Sequence, residues 1–132
     1  MTPVFIDAPV WRDYIAGRSP ELGDRVDELI AQRAARVSAA SLQELLAEAR
    51  SPAACERLSE ALLGVHAPED AAAVAAAAGR IACRMRGEGL VPPAPLRLAS
   101  AAAALAARAP LLTTDADLHA VARFFPLKIL CA

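Results

Sequence analysis

Four carboxylates stand where predicted strands end, and their placement favours divalent-metal chemistry. Asp7 follows the first apolar run of the chain, and Glu44 lies in the first turn of the helix after a weaker strand. Asp115 and Asp117 follow a later apolar run. In open parallel sheets, sites form outside the carboxyl ends of the strands. Grouped carboxylates repel one another unless a cation lies among them, and oxygen-only ligands suit Mg²⁺ or Mn²⁺. Such an ion activates water and stabilises charge in phosphoryl transfer.

Each carboxylate also has an ordinary structural explanation. Asp115 is a good N-cap for a helix after a strand, and Asp117 adds favourable charge to its first turn. Ser41 and Glu44 have the spacing of a capping box. Asp7 is harder to explain in this way, because an acid directly after a buried apolar strand needs a partner. His66 and His119 have no Ser or Cys in a nucleophile-like setting, so triad chemistry is not indicated.

The elements that must position these residues alternate between strands and helices. The predicted strands are 3–6, 36–39, 64–67, 110–113 and 127–130, and the predicted helices begin near residues 9, 20, 41, 52, 68, 96 and 115. Alternation of this kind predicts an α/β fold, with a parallel sheet of four or five strands covered by helices on both faces. The alternative is an all-helical bundle, because the second and third strands are weak. We expect residues 1–132 to form one domain.

Composition excludes several classes of protein. The formal net charge is −1, so nucleic-acid binding would need a local basic patch, for which Arg80, Arg84 and Arg86 on one helix are candidates, although a solvated helix face is the commoner outcome. Three widely spaced cysteines, Cys55, Cys83 and Cys131, are expected to be buried thiols in a reducing compartment. The sequence shows neither a secretion signal nor an apolar stretch long enough to span a bilayer, so we expect a cytoplasmic protein without a membrane role.

Three segments together resemble the motifs of PIN-domain proteins. They are VFIDAPVWRDY at 4–14, with an apolar strand ending in Asp7 and followed by Val-Trp; SLQELL at 41–46, with Glu44 before a Leu pair; and LLTTDADL at 111–118, with a Thr-x-Asp-x-Asp pattern. The order and spacing hold across nearly the whole chain. The size is that of VapC-type toxins, the nuclease half of bacterial toxin–antitoxin pairs.

The resemblance implies a Rossmann-like, three-layer sandwich and Mg²⁺- or Mn²⁺-dependent cleavage of RNA. It implies that Asp7, Glu44 and Asp115 are metal ligands, with Asp117 as an accessory acid. It also implies an antitoxin-like protein partner. The family often dimerises, and Trp11 and Tyr14 lie among apolar neighbours on the first helix, so we expect a homodimer.

Two departures from the family pattern fall inside the presumed site. The family usually has an Asp at the start of the helix before the closing strand, and counting back from Pro110 places Arg97 at that position. Ala8 stands where a small hydroxyl residue usually follows the first Asp. A guanidinium about 5 Å from a carboxylate contributes roughly 3 kcal/mol at an effective dielectric near 20, and it cannot lose its proton. Arg97 would then take the place of a divalent ion, unless it points to solvent and the site is one ligand short.

These observations leave three hypotheses: an active metal-dependent ribonuclease, a degenerate PIN-like module that binds RNA or a protein, and a structural α/β protein with coincidental acids. Position 97 separates the first two. The third requires that Asp7, Glu44 and Asp115 lie apart in space. We predict weak or absent catalysis, because replacing an acid by a cation changes the charge of the site by two units.

Overall fold

A parallel four-stranded sheet forms the centre of the computed structural model, which describes residues 2–131. The strands are β1 Val4–Ile6, β2 Ala35–Arg36, β3 Leu111–Thr113 and β4 Ile129–Cys131, and their order across the sheet is β2-β1-β3-β4. The helices are α1 Ala8–Ala16, α2 Pro20–Ala31, α3 Ala39–Ala47, α4 Pro52–Leu63, α5 Ala71–Gly87, α6 Pro95–Ala106 and α7 Ala116–His119, with a 3-10 turn at Val121–Arg123. The α/β prediction is confirmed, and the all-helical alternative is wrong.

Helices cover both faces of the sheet because the short strands are apolar on both sides. Val4 and Ile6 pack with α1, α2 and α4 on one face, whereas Phe5 packs with α5 and α6 on the other. All three β1 residues are buried. Small side chains at 101–104 let α6 lie close against the sheet and α5. Strands buried on both faces read as continuous apolar runs, which is why β1 and β3 were identifiable from sequence.

Two of the predicted strands differ in the structure. The segment 64–67 contributes one isolated bridge, between Val37 and His66, rather than a fifth strand in the described part of the chain. β2 ends earlier than predicted because Ser38 caps α3, with its hydroxyl accepting a hydrogen bond from the backbone N–H of Ser41 at 3.1 Å. The predicted Ser41–Glu44 capping box is therefore wrong, and Glu44 lies in the second turn of α3 rather than the first.

Two further expectations, about the cysteines and about Trp11, differ from the structure. Cys55 is half-buried and Cys83 is exposed, so the prediction that they are buried is wrong; both are free thiols, and the side chain of Cys131 lies outside the described residues. Trp11 is only 3 % exposed because it packs in the chain's own core, so it does not contribute to an apolar docking surface. Within residues 2–131, no helix combines the length and the apolar character that a membrane span requires.

Candidate functional site

Asp7 occupies the centre of the site because β1 lies between β2 and β3. Its backbone N–H donates to the carbonyl of Leu112 at 2.9 Å, so the carboxyl ends of β1 and β3 are held side by side. Its carboxylate accepts from the backbone N–H of Ala8 at 3.0 Å and caps α1, where the helix dipole favours negative charge. The residue is 0 % exposed. A fully buried carboxylate is costly unless other groups compensate it.

The compensating cation is Arg97, whose side chain reaches from the first turn of α6 into the site. Its Nη1 donates to Asp7 Oδ1 at 2.9 Å and to Glu44 Oε1 at 3.1 Å, and its Nη2 forms a further short contact with Asp7 Oδ2. Nε and Nη2 both reach Asp115 Oδ2, at 3.1 and 3.0 Å. A guanidinium carries five N–H donors, and these contacts use all of them. Asp7, Glu44 and Asp115 therefore converge on one cation.

Two hydroxyl groups complete the environment of Asp7. Ser100 Oγ donates to Oδ1 and Thr113 Oγ1 donates to Oδ2, each at 2.7 Å. Ser100 Oγ also lies 3.1 Å from Ser41 Oγ, which joins α3 to α6 behind the carboxylate. The hydroxyl that is missing at Ala8 is evident from the sequence, but Ser100 was not predicted as a partner of Asp7. The available signal was its position three residues after Arg97, which places both side chains on one face of α6.

The protonation states follow from this arrangement. Burial raises the pKa of Asp7, but the hydrogen bonds and charge of Arg97, with the hydroxyls of Ser100 and Thr113, outweigh it and hold the pKa below its ordinary value. Burial lowers the pKa of Arg97, but its hydrogen bonds to Asp7 and Glu44 and the charges of those acids raise the pKa by more. The pKa of Arg97 therefore lies above its ordinary value. Both shifts favour the charged forms, so Arg97 is a permanent cation beside an ionised Asp7.

A second arginine stands at the outer edge of this site. Arg12 donates to Glu48 through Nε at 2.8 Å and through Nη2 at 2.5 Å, and its Nη2 lies 4.0 Å from Glu44 Oε2. The hydrogen bond to Glu48 raises the pKa of Arg12, and the same bond lowers the pKa of Glu48. Glu44 therefore lies between two guanidiniums, of which Arg97 is the closer.

Asp117 is not part of the cluster on Arg97. Its side chain is exposed, and its backbone N–H donates to Asp115 Oδ1 at 2.9 Å, which makes Asp115 the N-cap of α7. Among the described residues, the ion pairs of Arg97 involve only Asp7, Glu44 and Asp115.

A divalent ion does not fit among these side chains while Arg97 holds its observed position. Mg²⁺ requires oxygen ligands at about 2.0–2.1 Å in octahedral geometry, but the space between the three carboxylates contains the guanidinium. The guanidinium keeps its proton and would repel the ion. Across residues 2–131, no group of three or more His, Cys, Asp or Glu side chains has an arrangement that could hold a metal.

The hydroxyl of Thr113 gives a testable measure of how strongly this site is held together. We expect Thr113→Val to lower the free energy of unfolding by about 2 kcal/mol, because Asp7 loses a charge-assisted hydrogen bond while the shape of the side chain is nearly preserved. The neighbouring Thr114 is exposed, so Thr114→Val should change stability by less than about 0.5 kcal/mol. Urea denaturation of both variants checks this, and equal effects would contradict it.

The fold is shared with toxin–antitoxin structures. The chain is similar to VapBC2 of Rickettsia felis, bound to a promoter DNA fragment, with a TM-score of 0.76, 16% identity and 98% of each chain covered. It is also similar to VapBC-1 of nontypeable Haemophilus influenzae, with a TM-score of 0.76, 18% identity and coverage of 97% and 96%. FitAcB of Neisseria gonorrhoeae gives a TM-score of 0.72 at 19% identity, with 96% of each chain covered. Identities this low show likeness of fold alone.

Sequence comparison gives a family but no individual counterpart. No curated protein matches the chain in sequence. The family model of the PIN domain matches residues 4–124, which includes all three segments whose motifs resemble those of the family. Since the match spans most of the sequence and the fold agrees with it, this chain belongs to the PIN-domain family.

Proposed function

We propose that this protein is a VapC-like member of a toxin–antitoxin pair in which Arg97 has replaced the divalent ion, so that Mg²⁺- or Mn²⁺-dependent ribonuclease activity is strongly weakened or lost. The observation that carries the proposal is the saturation of the guanidinium of Arg97 by Asp7, Glu44 and Asp115. These are the acids that the family resemblance assigns as metal ligands. With all five donors engaged, Arg97 occupies the place that an ion and its waters would need.

A protein of this kind that does not cleave RNA keeps the role of binding a partner. The similar structures of Rickettsia felis and Haemophilus influenzae are VapBC complexes, which supports an antitoxin-like protein as the partner of this chain. RNA and a second copy of the chain are the other expected partners. The second candidate function is that of a non-catalytic module that binds RNA or protein outside any toxin–antitoxin pair. The occupation of the acidic site by Arg97 favours it equally, and it differs from the first only in the partner.

The test is a metal titration with a generic RNA substrate. Wild-type protein is expected to cut RNA no faster than Asp7→Asn and to show no shift of its melting temperature with Mg²⁺ or Mn²⁺. Arg97→Asp should bind Mn²⁺ at least about tenfold more tightly, because site affinity depends on the number of charged ligands. Arg97→Ala should gain less, since it removes repulsion without supplying an oxygen.

A control variant distinguishes the gain of a metal site in Arg97→Asp from a general loss of protein stability. Asp7→Asn combined with Arg97→Asp should lose the metal-dependent rise in melting temperature, because it removes the central ligand. Rapid, EDTA-sensitive cleavage by wild-type protein that is absent from Asp7→Asn would overturn the proposal. It would indicate that Arg97 moves aside and that Asp117 or another acid completes the metal site.

A further inference from the structure

We propose that a cavity at the β2 edge of the sheet binds phosphate groups. This β2-edge cavity has a volume of about 580 Å³ and lies between the end of α2, the strand β2 and the segment that follows α4. Three of its lining residues are basic or titratable: Arg33, Arg36 and His66. None of the residues that contact Arg97 lines it, so the proposal does not depend on the acidic site.

The charge of this cavity is local and positive. The whole chain has a net charge of −1, yet the cavity is lined by two arginines and by no carboxylate. Within residues 2–131, neither Arg33 nor Arg36 takes part in an ion pair. Glu69 and Asp70 line a neighbouring cavity together with Arg36, but both carboxylates accept hydrogen bonds at helix ends, Glu69 from the backbone N–H of Ala39 at 2.7 Å and Asp70 as the N-cap of α5. The positive charge is therefore left for a ligand.

Arg36 is already oriented for such a ligand. Its Nη1 donates to the carbonyls of Arg33 and Ala35, both at 2.9 Å. Those bonds fix the plane of the guanidinium and leave Nε and Nη2 as donors. A planar guanidinium pairs with a phosphate through two parallel hydrogen bonds, which is why arginine is preferred at phosphate sites.

His66 supplies a third polar group. Its Nδ1 lies 3.2 Å from the carbonyl oxygen of Val37, and a carbonyl can only accept, so Nδ1 is the protonated nitrogen. In that neutral ring Nε2 is an acceptor, so it can take a hydrogen bond from a hydroxyl of a phosphate ester, such as a ribose hydroxyl, but not from the phosphate oxygens. Two guanidiniums facing one space match an oxyanion with more than one negative charge and several acceptor oxygens. A volume of about 580 Å³ exceeds what a single phosphate fills and is within the range of sites for small organic ligands. The class of ligand is therefore a phosphate ester, either a free nucleotide or the backbone of RNA.

The backbone at Arg33 provides an informative variant. Arg33 has φ +57°, a left-handed conformation at the end of α2 where glycine is the favoured residue. Arg33→Gly should therefore keep or raise the melting temperature while removing the guanidinium. Arg108 has the same conformation, φ +54°, after α6, and it does not line this cavity. Arg108→Gly is thus a matched control that removes the same charge from the same backbone conformation elsewhere.

The experiment measures the binding of three ligands to wild-type protein, Arg33→Gly, Arg36→Gln and Arg108→Gly. Inorganic phosphate and AMP are titrated by NMR, following the His66 ring, and a labelled oligouridylate is titrated by fluorescence anisotropy at several salt concentrations. Loss of one guanidinium contact should weaken binding about tenfold. Arg108→Gly should bind as wild type does. If the ligand is RNA, each cavity variant should also reduce the salt dependence of log K by about 0.7.

The outcomes distinguish the source of the phosphate and can overturn the site. Binding of AMP that depends on Arg33 and Arg36, without a change in the RNA salt dependence, would assign the cavity to a small phosphate ester. If Arg33 and Arg36 are needed both for AMP binding and for the salt dependence of RNA binding, the cavity binds the backbone of RNA. The proposal is wrong if Arg108→Gly weakens binding as much as Arg33→Gly, which would indicate non-specific attraction. It is also wrong if neither phosphate nor AMP perturbs the His66 ring and the binding of the oligouridylate does not depend on Arg33 or Arg36.

Discussion

Replacing Arg97 with alanine is expected to lower the free energy of unfolding by about 3 kcal/mol at neutral pH. Asp7 is 0 % exposed and would lose both of its guanidinium contacts, while Glu44 and Asp115 would lose the cation that separates them. The remaining donors to the Asp7 side chain, from Ser100, Thr113 and Ala8, hydrogen-bond the carboxylate but do not neutralise it. The loss cannot come from helix propensity, because alanine is the better helix former.

The measurement is guanidinium chloride unfolding followed by fluorescence of Trp11, which is the only tryptophan and is buried. Arg12→Ala is the control for removing an arginine at the same site. Its pair with Glu48 is exposed, with 36% and 47% of the side chains accessible, so that variant should lose less than about 1 kcal/mol. Arg97→Lys should fall between Arg97→Ala and wild type, because an ammonium keeps the charge but has three donors for three acids. A loss below about 1 kcal/mol for Arg97→Ala would contradict our account of the site.

The position of Arg97 was largely predictable, but its contacts were not. Counting from Pro110 placed it at the start of α6, and the apolar runs before Asp7 and Asp115 placed those acids at neighbouring strand ends. That a single guanidinium contacts three carboxylates depends on the rotation of α6 about its axis and on the side-chain rotamer. Neither quantity is encoded in a local pattern.

Two other features of the fold were predicted wrongly: the residue that caps α3 and the pairing of the segment 64–67. Ser38 and Ser41 are both good N-cap residues, and local sequence does not decide between them. Ser38 caps α3 in the structure, which leaves the hydroxyl of Ser41 for Ser100. The segment 64–67 has the composition of a strand, but a single bridge to Val37 is its only pairing with the sheet in the described part of the chain. Tertiary contacts therefore determined both features.

The pH dependence of stability is expected to reverse sign between wild type and Arg97→Ala. In wild-type protein the pKa of folded Asp7 lies below its ordinary value of 3.8. The unfolded chain therefore binds a proton first as the pH falls, so Asp7 stabilises the fold above about pH 4 and this contribution is lost as the pH drops through the folded pKa. Without Arg97, burial is the largest remaining influence, and it raises the pKa of folded Asp7.

In Arg97→Ala, Asp7 of the folded protein then keeps its proton at a pH at which Asp7 of the unfolded chain has lost it. The contribution of Asp7 to stability is fully present below about pH 4 and is lost as the pH rises through the raised pKa. The difference in unfolding free energy between the two proteins should therefore be small in acid and reach its full size near neutrality. Unfolding curves measured from about pH 3 to about pH 8 test this.

Asp7→Asn, made in both backgrounds, assigns the effect to one carboxylate. Glu44 and Asp115 contact Arg97 whether or not residue 7 is changed, so their part of the effect of Arg97→Ala is common to the two backgrounds and cancels when the backgrounds are compared. The change in stability caused by Arg97→Ala should then vary much less with pH when residue 7 is Asn than when it is Asp. If it varies equally in both backgrounds, the cation acts mainly on Glu44 and Asp115, and Asp7 is not the group whose charge Arg97 maintains.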